Sequence, residues 1–167
     1  MELLKLATEW AKAEVFSTRF FILFAILFLI ASFGFWQIGK TELAKSYIIT
    51  TSVAGLLLMT IGLGLFHTNK LRITQFEKAY NEDAVSFFES EIERSETTLK
   101  EYTVVFQVIP ILIILAALLI IFTKTPLWRA IGITTIAMLI VILLVDGTAY
   151  SRIATYNKQL KLLEIKK

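Results

Sequence analysis

The sequence predicts an all-α integral membrane four-helix bundle, built as two tandem in–out–in hairpins with helical cytoplasmic extensions. Three observations carry this reading. Apolar residues make up 56% of the chain, too large a share for a soluble domain of this size. They gather in four blocks, 20–38, 47–66, 102–122 and 127–145, uncharged apart from Arg129 at the start of the fourth. Each is close to the roughly 20 apolar residues that cross a bilayer as a helix. Finally, "RITQFEK" at 72–78 returns as "RIATYNK" at 152–158, which sets the second block over the fourth.

Residues 1–18 project as an amphipathic helix. Leu3, Leu4, Ala7, Trp10, Ala11 and Val15 share one face, and Glu2, Lys5, Glu9 and Lys12 share the other. Such a helix suits the inner headgroup layer or a partner helix. Glu14 interrupts its apolar face, and is expected to snorkel or to serve the helix dipole. Block 20–38 follows a long stretch of mixed charge and ends in "FGFWQIGK", without a small-residue cleavage site. It is therefore expected to be a span rather than a signal peptide.

The connections after 38 and 122 are short, so spans one and two, and three and four, form antiparallel hairpins. Gly55, Gly62 and Gly64 on span two are expected to let a neighbouring helix approach. Residues 67–101 contain neither Pro nor Gly and read as a helical hairpin turning near Asn81. Its second limb carries Val85, Phe88, Ile92, Leu99, Tyr102 and Phe106 at coiled-coil spacing, broken by Ser95. Pro110 falls inside span three, where the lost N–H makes a kink or hinge the expectation. Pro126 suits the first turn of a helix. The repeat divides the chain into 1–82 and 83–167.

Lys and Arg give the orientation. Thirteen lie in the N-terminal arm, the 67–101 segment and the tail, and four in or beside the two short turns. Both termini are therefore expected on the cytoplasmic side of a multi-pass protein. Trp36 and Trp128 then fall at the outer interface, and Trp10, Tyr102 and Tyr150 at the inner one.

Little here resembles catalytic chemistry. There is no cysteine and one histidine, so thiolate catalysis, disulfides and zinc centres lack their ligands. No metal, cofactor or enzymatic activity is expected. A net charge of +3 does not suggest a nucleic-acid partner. His67 and Asp146 stand at similar depths at the feet of spans two and four, as a proton-relaying or pH-sensing pair or as two solvated helix-end residues. Glu89, Glu93 and Glu96, with Ile92 among them, form either a solvated acidic face that docks a partner or a vestibule that concentrates cations.

The echo pairs Thr68 and Arg72 with Thr148 and Arg152, one helical turn apart in each arm. These residues can grip two headgroup phosphates or small anions. Equally, the arginines can snorkel beside apolar seams formed by Ile73, Phe76 and Tyr80, and by Ile153, Tyr156, Leu160 and Leu163. Seams without an evident partner favour a membrane scaffold or accessory subunit, homo-oligomeric or bound to another membrane protein, with anionic headgroups at its cytoplasmic face. A small ion or solute channel with an acidic vestibule is the alternative. Binding of an anionic lipid or small anion is the third reading.

Overall fold

The computed structural model describes residues 2–165, with side chains to 163. Met1 and the last two residues of the expected tail helix lie outside this range. The described chain folds as four long helices: α1 (Glu2–Ile38), α2 (Glu42–Glu82), α3 (Ala84–Phe122) and α4 (Pro126–Ile165). There are no strands among the described residues, and each helix is long and apolar enough to cross a membrane. The protein is a multi-pass membrane helix bundle.

The helices break where the chain supplies caps. Thr41 starts α2 by accepting from the Ala44 N–H at 3.1 Å. Asp83 alone separates α2 from α3. Its extended backbone ends one helix, and its carboxylate accepts from the N–H groups of Val85 (2.9 Å) and Ser86 (3.2 Å) to begin the next. The turn expected near Asn81 thus falls two residues later, at the residue able to cap. No Pro or Gly interrupts the first turns of α1, which carries the amphipathic segment into the first span as one helix. Likewise α3 continues through the exposed Pro110 as one helix.

Two apolar clusters hold the bundle. The first, in the membrane portion, gathers Phe21 and Ala25 of α1, Leu58 of α2, and Val141 and Val145 of α4. Here α1 and α2 approach closely because Gly55 and Gly62 carry no Cβ. One added at Gly55 would lie 2.9 Å from Leu29 Cγ, and one at Gly62 would lie 2.9 Å from Ile22 Cγ1. Gly64, expected to act with them, faces open space instead. Membrane hydroxyls tie helices together: Ser32 Oγ lies 3.0 Å from Ser52 Oγ, and Thr134 Oγ1 donates to Thr50 Oγ1 at 3.1 Å. The span of α3 is mostly lipid-facing, burying Ile109 and Ala116.

The second cluster fills the end of the bundle that carries both termini. Ala7, Trp10 and Ala11 of α1 pack with Phe76 of α2, Phe87 and Phe88 of α3, and Ile153, Tyr156 and Leu160 of α4. Ile73, Tyr80, Ile92, Leu99, Tyr102 and Leu163 pack against it. The a/d seams therefore meet one another and α1 within this chain. The amphipathic segment is the helix that covers them, and Trp10 is a core residue rather than part of an aromatic belt.

A polar cavity beneath the membrane cluster as the candidate functional site

The terminal-end cluster is apolar around a buried polar centre. Positions 87, 91 and 95 lie one turn apart on α3, so the stripe that buries Phe87 also buries Glu91 and Ser95. Glu91 is 3% exposed. Arg94 grips it with both arms of the guanidinium, Nε to Oε1 at 2.8 Å and Nη2 to Oε2 at 2.6 Å. The Tyr156 hydroxyl donates to Oε2 at 2.6 Å. One turn along, Asn157 Nδ2 donates to Ser95 Oγ at 2.8 Å, and Ser95 Oγ donates to the Ile92 carbonyl at 2.9 Å. Buried charge of this kind is tolerated only when paired and hydrogen-bonded, as it is here.

Trp10 of α1 completes the centre. Its ring stacks on Tyr156 with centroids 5.4 Å apart, and the Arg94 guanidinium lies 4.2 Å from its centroid. Burial opposes the charge on Arg94, but the bonds and charge of Glu91 prevail and raise its pKa. Burial and the same carboxylate push the Tyr156 hydroxyl up, so it remains a proton donor.

Glu14 does not snorkel. It is 7% exposed and accepts from Arg152 Nε at 3.0 Å, because α1 lies along α4 at this level. Arg152 is thereby held by a carboxylate of its own chain. Its counterpart in the echo is placed differently. Arg72 Nη1 donates to Asn69 Oδ1 at 2.9 Å, and no carboxylate among the described residues stands at ion-pair distance from it. Burial and the like charge of Arg94 lower its pKa, with Glu91 and Glu14 opposing. The guanidinium remains charged nonetheless. Thr68 is exposed, and Thr148 donates to its own helix at the Val145 carbonyl (2.8 Å). The two threonine–arginine pairs are thus not equivalent sites.

Arg72 and Arg94 line one cavity of about 340 Å³ among all four helices. Asn69, Glu14, Asp146 and Glu101 contribute to its polar part. Phe21, Ile61, Leu65, Val105, Ile142 and Val145 form the apolar part, toward the spans. Ile61 and Leu65, which line this apolar part, also have exposed surface on α2. The buried Nη1 of Arg94 has no hydrogen-bond partner.

The other sequence candidates lie elsewhere. His67 is exposed, and no hydrogen bond or ion pair joins it to Asp146. Glu89 and Glu93 are exposed, Glu96 reaches across to Lys161 Nζ at 2.7 Å, and Ile92 packs inward between them. Glu91, Arg94 and Asn69, which shape the site, escaped the sequence reading. The available signal was Ser95: a polar break in an apolar seam marks a buried polar contact, and Glu91 lies one turn before it on the same stripe.

The fold and cavity define a multi-pass membrane bundle with a charged, amphipathic pocket at one end. Neither a family model, nor a curated protein, nor a solved structure matches this chain.

Proposed function

We propose that the protein is a non-enzymatic membrane binder of a phosphate-bearing lipid headgroup. One observation carries this reading: Arg72 without a carboxylate partner and Arg94 with an unpartnered Nη1 line the same cavity, whose opposite part is apolar. Guanidinium groups suit phosphate oxygens geometrically as well as electrically. An apolar wall that includes Ile61 and Leu65, both partly exposed on α2, suits the first carbons of an acyl chain. The charge asymmetry of the loops supports a cytoplasmic position for this end, and with it a headgroup of the inner leaflet as ligand.

Two other readings draw less support from the packing. A scaffold working through open a/d seams needs seams that are uncovered, and these are occupied by α1. The channel reading keeps its exposed Glu89 and Glu93, but within the spans the hydroxyls of Thr50 and Thr134 are bonded to each other.

The test is native mass spectrometry of protein purified in a mild detergent, with circular dichroism to check folding. Wild-type protein is expected to retain phospholipid after detergent exchange. The Arg72→Gln variant, still helical, should retain about tenfold less, the loss expected for one charged hydrogen-bonding partner. Equal retention by the two proteins would refute the reading.

A further inference from the structure

The charges around the cavity do not cancel in pairs, and the remainder is informative. Arg94 is matched by Glu91, and Arg152 by Glu14. Glu101 lines the cavity but is exposed to solvent. Two opposite charges are left over, Arg72 on α2 and Asp146 on α4. Asp146 is partly buried, and among the described residues it has neither a hydrogen bond nor an ion pair. The two line the same cavity without meeting.

Unpaired charges withdrawn from water are costly, and joining them would have removed much of that cost. Held apart, they are complementary to one molecule that carries both opposite charges. A purely anionic headgroup would satisfy Arg72 and Arg94 but would bring a second negative charge toward Asp146. A choline headgroup has no N–H to donate to the carboxylate. A primary ammonium has three donors and fits it.

Building on the phosphate-binding reading above, we propose that the cavity selects a phosphoethanolamine group, its phosphate on Arg72 and Arg94 and its ammonium on Asp146. The apolar wall then covers the start of the lipid's acyl chains. Selection between headgroups comes from Asp146, and overall retention comes from the arginines. The two roles sit on different helices and are separable by mutation.

The experiment offers purified protein an equimolar mixture of phosphatidylethanolamine, phosphatidylcholine and phosphatidylglycerol in detergent, and reads the retained species by native mass spectrometry. Wild-type protein should enrich phosphatidylethanolamine about tenfold over each of the others. Asp146→Asn should abolish that preference while total retained lipid stays about the same, and Asp146→Glu, which keeps the charge, should preserve it. Wild-type preference for phosphatidylglycerol, or an unchanged preference in Asp146→Asn, would overturn the proposal while leaving phosphate binding intact. If Asp146→Asn does not fold, the wild-type preference decides alone. Loss of the underlying reading looks different: Arg72→Gln would then retain as much of every lipid as wild type. A competition arm with soluble glycerophosphoethanolamine separates the sources. Competition only at concentrations far above those of the lipid supports a lipid ligand, and competition at equal concentrations overturns the lipid in favour of a free phosphoethanolamine compound.

Discussion

The arms 72–78 and 152–158 share Arg, Ile, an aromatic residue and Lys in the same register, yet occupy unlike surroundings. In the α4 arm, Ile153 and Tyr156 are almost wholly buried, and Arg152 is bonded to Glu14. In the α2 arm, Ile73 is only partly buried and Arg72 faces a cavity with no carboxylate partner. The aromatic residues differ too. Tyr156 is tied by its hydroxyl to Glu91 and by its ring to Trp10, whereas Phe76 makes a ring contact with Phe87 at 5.5 Å. The arginines differ because Glu14 of α1 pairs with the α4 arm alone, and the aromatic residues differ because Tyr156 has a hydroxyl for Glu91 of α3. The echoed residues keep the same helical register, and the Glu14 carboxylate of α1 forms an ion pair with the α4 copy of the arginine alone.

The strongest way to break this comparison is to remove the group that ties Tyr156. Glu91→Ala strands the Arg94 guanidinium and the Tyr156 hydroxyl together, and should destabilise the bundle by about 3–5 kcal/mol. Thermal unfolding in detergent, followed by circular dichroism, measures this. A midpoint within a degree or two of wild type would mean that the buried polar centre contributes nothing to folding.

The next effect compares the isoleucines directly. Ile153→Ala opens a hole in a filled cluster and should cost about 3 kcal/mol, within the usual range for such truncations. Ile73→Ala removes the same atoms from a site already partly open, and should cost about half as much. Equal losses would show that the two arms are packed alike.

The arginines give a smaller and more diagnostic contrast. Arg152→Gln leaves the buried Glu14 carboxylate without its cation, and should cost about 1–3 kcal/mol. Arg72→Gln removes a charge that burial and Arg94 both disfavour, and should leave stability unchanged or slightly raised. Chemical denaturation of both variants in the same detergent makes the comparison. Matching losses would mean that Asn69 and the Trp10 ring hold Arg72 as firmly as Glu14 holds Arg152.

Much of the fold was legible in the sequence for a simple reason. Lipid admits only backbone that satisfies its own hydrogen bonds, so an apolar block of span length can hardly be anything but a helix. The seams were legible too, because a/d spacing depends on helix geometry alone. Their partners were not, since spacing cannot say whether the covering helix lies in the same chain. The site was the least visible part. Arg72 stood out through the echo, but its distinction from Arg152 rests on Glu14, 138 positions away in the chain. Glu91 was hidden among exposed carboxylates because composition does not separate a buried acid from its solvated neighbours; only its register with Phe87 and Ser95 does.

The smallest expected effect concerns the lysines that close each arm. Lys78 and Lys158 occupy equivalent places in the repeat, and both are exposed. Lys78 lies 3.9 Å from Glu82 one turn away, with both side chains largely in solvent. Exposed pairs of this kind lose in side-chain entropy and screening most of what they gain in attraction. Lys78→Ala and Lys158→Ala should therefore each change stability by no more than about 0.5 kcal/mol, and by the same amount within error. Denaturation midpoints for the two variants check this. A large loss at one lysine alone would mean that the asymmetry of the arms extends beyond the reach of α1, and that covering by α1 is not its whole cause.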